Sequence, residues 1–225
     1  RALESEGIAI HYGAANVALV PDSSADLLVV WTPAMPDNFA ELVKVQTGDY
    51  TLLKRSQVLG LISRGMDCIG IAGTHGKTTT TAMIIWLFKQ LDVPVSYSVG
   101  GILSYGEMGE FNPQDEFFVY EADEYDRNFL SFSPALSVIP GIAYDHPDIY
   151  PTESDYNQAF VDFVGQSKQT VIWQQDGAKI DARADEHVTL LDKDTDVSAL
   201  GLPGIVNRMN AHAAIVAVEK LGLCD

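Results

Sequence analysis

Short apolar runs alternate along the chain with stretches in which apolar residues recur every three or four positions. The runs predict buried strands at residues 8–12, 27–31, 50–53, 68–72, 95–99, 117–120, 135–139, 170–173 and 187–191. Helices are predicted at 39–46, from Ser56 to near Arg64, from Thr78 onward, after Thr152 and in the Ala-rich segment ending at Leu221. This alternation predicts an α/β fold with a mostly parallel sheet flanked by helices.

The predicted strand at 68–72 runs into a glycine-rich turn and then into a helix. Gly73 and Gly76 lack a Cβ, so the backbone can bring its N–H groups against phosphate oxygens at a helix N-terminus. Lys77 can reach the β- and γ-phosphates, and the Thr78 hydroxyl can join the shell of a Mg²⁺ ion. Ile71 occupies the position where the strict phosphate-loop pattern has its first glycine, so Gly73 must make the turn. The alternative is a strand-to-helix turn that carries Gly-Lys-Thr by chance.

An acidic run, Glu121-Ala-Asp-Glu124, follows the predicted strand at 117–120. The carboxyl ends of parallel strands meet at one edge of a sheet, so we expect this run to face the glycine-rich turn. Carboxylates packed together there are costly without a cation and favourable around Mg²⁺. The pattern therefore predicts a site for a nucleoside triphosphate and magnesium.

The composition narrows the possible partners. With 31 acidic and 14 basic residues the formal net charge is −17, and no cluster of Lys or Arg offsets it, which argues against nucleic acid. No apolar run is long enough for a membrane span, and the first residues do not resemble a signal peptide, so a cytoplasmic protein is expected. Cys68 and Cys224 are too few for a disulfide framework or a metal cluster.

The segment Gly-Thr-His-Gly-Lys-Thr-Thr-Thr from Gly73 resembles the phosphate loop of the Mur ligases, ATP-dependent enzymes that form amide bonds in peptidoglycan synthesis. Asp145-His146, a strand after the acidic run, fits the order of motifs in that family. Residues 202–210 are similar to the family's Gly-x-His-Asn-x-x-Asn segment, with Val206 in place of the histidine. Pro147 and the pair Pro140-Gly141 depart from the family pattern near the Asp-His.

The resemblance implies a set of site residues. Lys77, Glu121 and His146 would be catalytic, and Thr78, Glu121 and His146 would hold Mg²⁺. The residues implied to bind ATP are Gly73, Thr74, His75, Gly76, Lys77, Thr78, Thr79, Asn207 and Asn210, the two asparagines lying near the base.

The resemblance also implies a domain plan and a reaction. Residues 1–64 would be part of a Rossmann-like UDP-substrate domain lacking its first strand and UDP loop. Residues 65–225 would be the central ATP-binding domain, with the C-terminal amino-acid-binding domain absent. The branch that it resembles most joins L-alanine to the carboxylate of UDP-N-acetylmuramate, as a monomer or weak homodimer. Two alternatives remain: a recycling ligase that adds an intact tripeptide, and a nucleotide-binding module without ligase activity.

Overall fold

The computed structural model describes residues 2–224 and divides the chain into two compact units, Arg1–Val58 and Leu59–Asp225. The division falls inside helix α3 (Arg55–Ile62). The predicted domain boundary, between residues 64 and 65, lies six residues further along the chain.

The N-terminal unit contains a short helix α1 (Ala2–Ser5) and a two-stranded parallel sheet. Strands β1 (Leu28–Trp31) and β2 (Thr51–Lys54) pair directly, and helix α2 (Ala40–Thr47) connects them. Phe39 occupies the position before α2 and makes no side-chain cap.

The strand predicted at residues 8–12 is also wrong, because this segment adopts no regular secondary structure. Ile8 and Tyr12 are 47% and 75% exposed, so the apolar residues of the run are not buried against a sheet. An apolar run becomes a strand only where a partner strand can accept its backbone hydrogen bonds.

The larger unit is built on a seven-stranded sheet in the order β5-β4-β6-β3-β7-β8-β9. All neighbouring strands are parallel except β4 and the two-residue edge strand β5, so the predicted mostly parallel sheet is confirmed. The strands are β3 (Asp67–Ala72), β4 (Val95–Ser98), β5 (Gly109–Glu110), β6 (Phe117–Ala122), β7 (Leu136–Ile139), β8 (Gln169–Trp173) and β9 (Val188–Leu191).

Helices cover both faces of this sheet because successive side chains of a strand point to opposite faces. On one face, Ile69 and Ile71 of β3 pack in one cluster with helices α4 (Lys77–Gln90) and α7 (Ile205–Lys220). On the other, Cys68 and Ala72 share a cluster with helix α5 (Glu153–Gln166). The larger unit also contains the short α-helix α6 (Gln174–Gly177).

Helix α5 begins where the sequence predicts. The Thr152 side chain accepts from the Asp155 N–H while the Asp155 carboxylate accepts from the Thr152 N–H, which completes a capping box. Tyr156, Phe160 and Phe163 are fully buried, as their spacing predicts.

The strand order determines where functional residues can meet. Strand β3, at the centre, ends at the glycine-rich turn, and its two neighbours are β6 and β7. Ile71 pairs with Glu121 of β6 and with Val138 of β7, so these three strands end at the same level. The segments after β6 and β7 therefore lie on either side of the turn after β3.

Candidate functional site

The turn after β3 depends on glycine at two positions. Gly73 and Gly76 have φ values of +137° and +87°, which side chains rarely tolerate. A Cβ on Gly73 would lie 2.6 Å from the carbonyl oxygen of Gly141, and a Cβ on Gly76 would lie 3.0 Å from Asn210 Oδ1 and 3.1 Å from Pro140 Cβ. A side chain at either position would therefore strain the backbone and press against its neighbours.

Helix α4 begins directly after the turn, with Lys77 as its first residue. Within the described chain no side chain caps the helix at Gly76, so the N–H groups of the first turn remain available to a ligand. Their partial positive charge favours an anion. The predicted loop residues His75, Thr78 and Thr79 are exposed, which places them where a ligand can reach them.

The Lys77 side chain lies back across the turn and is 18% exposed. Its Nζ donates to the carbonyl oxygen of Gly73 at 2.6 Å and to both carboxylate oxygens of Glu124 at 3.1 and 2.8 Å. The ammonium group is thereby held at the mouth of the turn, where a phosphate bound to the first turn of α4 would lie.

Glu124 also approaches His146. Glu124 is 1% exposed, and its Oε1 lies 3.7 Å from His146 Nε2. His146 adopts a left-handed conformation with φ of +56°, and its ring packs edge-on against Tyr125 at a centroid distance of 5.1 Å. Lys77, Glu124 and His146 thus form one cluster, drawn from the ends of β3, β6 and β7.

A second cluster forms around the turn Gly100-Gly101 that follows β4. Glu121 Oε1 accepts from the Gly100 N–H at 2.9 Å. A Cβ on Gly101 would lie 3.1 Å from Thr78 Cγ2, so Thr78 borders the same turn. The structure therefore places Thr78 and Glu121 against adjacent glycines.

The family resemblance pairs His146 with Glu121 as magnesium ligands, whereas the carboxylates within 4 Å of His146 Nε2 among the described residues are those of Glu124 and Asp145. Glu124, which received no role of its own, is the residue that sequence reasoning missed. It stands in the same acidic run as Glu121, so the run identified the segment that reaches Lys77 and His146 without distinguishing the contacts of its two glutamates.

The donor groups at this edge of the sheet suit magnesium. No three His, Cys, Asp or Glu side chains among residues 2–224 are arranged to hold a metal by themselves. Protein-bound Mg²⁺ usually takes one or two carboxylates and completes its shell with phosphates and water. The Thr78 hydroxyl and the Glu121 carboxylate, beside the turn, fit that requirement.

The turn is supported from behind by Thr74. Its Oγ1 donates to the Ala143 carbonyl oxygen at 2.6 Å and accepts from the Ala143 N–H at 2.8 Å, while Tyr156 Oη lies 2.7 Å away. Burial is the main cause that raises the pKa of Tyr156, so its phenol stays protonated and donates to Thr74. Thr74, predicted to bind ATP, thus uses its hydroxyl to fix the turn.

The segment that carries His146 is held at its start by an ion pair between the buried Asp176 carboxylate and the partly exposed Lys179. The Asp176 carboxylate, 5% exposed, accepts from the Ile142 N–H at 3.0 Å and from Lys179 Nζ at 2.8 Å. Lys179 Nζ also donates to the Ile142 carbonyl oxygen. Both backbone polar groups of Ile142 are therefore bound by side chains of the α6 region.

The two predicted asparagines occupy different environments on α7. Asn210 is 4% exposed and lies against Gly76 of the turn, closer to the phosphate position than the base region that the resemblance implies. Asn207 is half-buried, and its amide donates to the Pro203 carbonyl oxygen at 2.9 Å.

A cavity of about 820 Å³ lies beside the first turn of α4. Thr78 and Thr79 line it together with apolar side chains from α4, α7 and the segment after β4, among them Met83, Trp86 and Ile102. Its volume is in the range of small-molecule sites.

Among the described helices, none combines the length and apolar character needed to cross a bilayer.

Comparison of this chain with known proteins shows the family to which it belongs. Residues 71–196 match the model of the Mur ligase middle domain. A UDP-N-acetylmuramate–L-alanine ligase of Cytophaga hutchinsonii is 39% identical over 175 residues, covering 75% of this chain and 37% of the relative. A protein of the same name from Parabacteroides distasonis is 41% identical over 165 residues, which cover 72% of this chain and 36% of the relative. The chain thus spans little more than a third of the length of these relatives.

Among solved structures, the Neisseria UDP-N-acetylmuramate:L-alanyl-gamma-D-glutamyl-meso-diaminopimelate ligase superposes with a TM-score of 0.83. The superposition covers 98% of this chain and 82% of the Neisseria chain at 23% sequence identity. At this identity the likeness is one of fold. The matched segment, 71–196, runs from the end of β3 past β9 and contains the glycine-rich turn, the acidic run and His146. The chain therefore belongs to the Mur ligase family.

Proposed function

We propose that the protein to which this chain belongs is an ATP-dependent ligase that joins L-alanine to the carboxylate of UDP-N-acetylmuramate. In this reaction the γ-phosphoryl group of ATP passes to the carboxylate, and the amine of alanine displaces phosphate from the acyl phosphate to form the amide. The observation that carries the proposal is the position of Lys77 Nζ, 2.6 Å from the Gly73 carbonyl oxygen at an uncapped helix N-terminus. The names of the curated relatives support the choice of substrates.

The residues of the site have separate tasks in this reaction. The first-turn N–H groups of α4 and the Lys77 ammonium bind the β- and γ-phosphates and neutralise the charge that develops during transfer. Thr74 keeps the turn in its binding conformation through Ala143 and Tyr156. We assign Asn207 and Asn210, which lie on helix α7 beside the turn, to contacts with the nucleotide. Phosphoryl transfer requires no protein nucleophile, so positioning and charge account for the catalysis.

We assign the magnesium ligands to Thr78 and Glu121 beside the turn, with His146 on its far side. Mg²⁺ would supply neutralisation of the phosphate charge when bound. His146 lies next to Glu124 in this structure, and its predicted role is to help hold the Mg²⁺ with Glu121.

The smaller unit fits a part of the domain that receives the UDP moiety, and we assign it that role on the resemblance of residues 31–38 and 54–59 to the family. We place the enzyme in the cytoplasm, where ATP is available, and expect a monomer or a weak homodimer. A phosphate-release assay with L-alanine or with the tripeptide as amine distinguishes the two ligase reactions. Turnover with the tripeptide alone would overturn the alanine assignment.

Lys77→Ala tests the site directly. Calorimetric titration with ATP and Mg²⁺ should show an affinity roughly ten- to hundredfold weaker than that of the native chain, because a charge-assisted contact to phosphate is worth about 1.5–3 kcal/mol. Lys89→Ala is the matched control, since Lys89 lies at the other end of α4 and contacts Glu110. Equal affinities for the native chain and Lys77→Ala would contradict the phosphate site.

A further inference from the structure

The Glu124 carboxylate takes up most of the hydrogen-bonding capacity of Lys77. An ammonium group has three N–H donors, and here two point to the oxygens of Glu124 and one to the Gly73 carbonyl oxygen. An incoming phosphate can therefore bind Lys77 only by displacing one of these acceptors. Of the two acceptors, only the Glu124 carboxylate is an anion, so Glu124 competes with the phosphate for the positive charge of Lys77.

Glu124 itself cannot turn to water when Lys77 leaves. It is 1% exposed, and its carbonyl oxygen is held by the Tyr150 hydroxyl and by the Arg127 N–H at 3.1 Å. Released from Lys77, its carboxylate would face the phosphate oxygens as a buried charge that has lost its ammonium partner and keeps only the more distant His146 ring, 3.7 Å away, beside it among the described residues. That arrangement is strongly unfavourable unless another cation compensates it.

We propose that Glu124 is a positioning residue that makes nucleotide binding depend on a divalent cation. In the nucleotide-free state Glu124 holds Lys77 over the turn. When nucleotide binds, Lys77 shifts to the phosphates, and the cation that arrives with them becomes the counter-charge of Glu124. Metal-free nucleotide is rejected because it would leave this carboxylate opposed to the phosphate charge. This role rests on the proposed function, since it requires a triphosphate on the turn.

The test compares ATP affinity in EDTA and in MgCl₂ at one ionic strength, by calorimetric titration of the 225-residue chain. Glu124→Gln keeps the size and an acceptor oxygen of the side chain but removes its charge. We expect Glu124→Gln to bind ATP in EDTA about tenfold more tightly than the native chain, equivalent to ~1.4 kcal/mol. The ratio between the two conditions should fall accordingly, a change that a merely structural role of Glu124 would not produce.

Glu116→Gln is the matched control because it makes the same substitution at an exposed position, just before β6 and at the opposite end of the strand. It should leave the ratio unchanged. A ratio for Glu124→Gln equal to that of the native chain, or weaker ATP binding in EDTA, overturns the proposal. If Glu124→Gln does not fold, Glu124→Asp serves instead: its retained charge must keep metal-free binding weak, and tightened binding overturns the role.

The same titrations separate this inference from the function on which it rests. If the native chain binds no ATP even with Mg²⁺, the phosphate site itself is wrong. If it binds ATP with Mg²⁺ but Glu124→Gln leaves the metal dependence intact, only the role of Glu124 fails.

Discussion

Tyr156 Oη lies 2.7 Å from Thr74 Oγ1. This contact links the start of the glycine-rich turn to helix α5. The Thr74 hydroxyl donates to the Ala143 carbonyl oxygen, so it accepts from Tyr156 and from the Ala143 N–H at the same time. Three segments of the chain thus converge on one hydroxyl group beside the proposed phosphate site.

Tyr156→Phe should weaken nucleotide binding without abolishing it. The ring remains buried, but Thr74 loses a donor, and the turn becomes less well fixed in its binding conformation. We expect about fivefold weaker ATP affinity by calorimetry and ~1 kcal/mol lower free energy of unfolding. Tyr144→Phe is the control, because it loses a hydrogen bond to the Tyr150 carbonyl oxygen and leaves Thr74 untouched. Equal effects of both variants on ATP affinity would argue against this support.

Gly76→Ala should eliminate most nucleotide binding, because the added Cβ meets Asn210 and Pro140 at a residue with φ of +87°. Gly65→Ala provides a control for backbone strain: Gly65 has φ of +96°, but no atom of the described chain lies within 4 Å of its added Cβ. Each variant should lose about 1–2 kcal/mol of folding stability from the left-handed conformation. Only Gly76→Ala should lower ATP affinity, by at least about tenfold. Unchanged affinity would show that the turn tolerates a side chain.

Tyr120→Phe should stabilise the protein. The Tyr120 side chain is 1% exposed, and its hydroxyl has no hydrogen-bond partner among the described residues. Burial raises the pKa of this phenol well above its usual value. Removing a buried unsatisfied hydroxyl group should raise the free energy of unfolding by about 1 kcal/mol in urea denaturation. A loss of stability of similar size would reveal a partner for the hydroxyl that these contacts do not include.

Stability should fall in alkali partly through Tyr150. Burial is the main cause that raises the pKa of this phenol to about 12, against about 10 in an unfolded chain. The stabilisation that the protonated Tyr150 phenol gives the folded state is complete below pH 10. It is lost as the pH rises through 12, because the phenol of the unfolded chain releases its proton at a lower pH than that of the folded chain. The free energy of unfolding should therefore decrease by up to about 1.4 kcal/mol per pH unit between these values from this residue.

Tyr150→Phe should reduce that slope, measured by urea denaturation between pH 9 and 12. It should also start from a lower stability at neutral pH, because the Tyr150 hydroxyl donates to the Glu124 carbonyl oxygen. Tyr144→Phe should retain the slope of the native chain. Indistinguishable slopes for the native chain and Tyr150→Phe would exclude Tyr150 as the source.

The sequence predicts the larger unit well because its strands are strongly apolar and its turns contain glycine. Residues 68–72, 117–120 and 170–173 all fall within strands, and Thr152 begins α5. The error at 8–12 arises because an apolar run does not specify its partner strand. The order of the strands follows from contacts between distant residues, which local periodicity does not contain.

The contacts of the site were less predictable. Glu121 lies within β6 and Glu124 just beyond its end, so the contact of Glu124 with Lys77 depends on how the chain turns after the strand. Asp126 and Arg127 adopt left-handed conformations there, with φ of +51° and +55°, although neither is glycine. The sequence offers no signal for this turn, and the pairing of Glu124 with Lys77 spans 47 residues.

The bracing of Thr74 has a consequence for synthesis on the ribosome. Its partners Ala143 and Tyr156 follow it by 69 and 82 residues, so a growing chain can complete β3 and α4 long before they emerge. Until α5 has left the exit tunnel, the nascent turn lacks the contacts of Thr74 with Ala143 and Tyr156 and should bind nucleotide poorly. ATP would then act as a late ligand in biogenesis, stabilising a nearly finished domain rather than guiding its first folding steps.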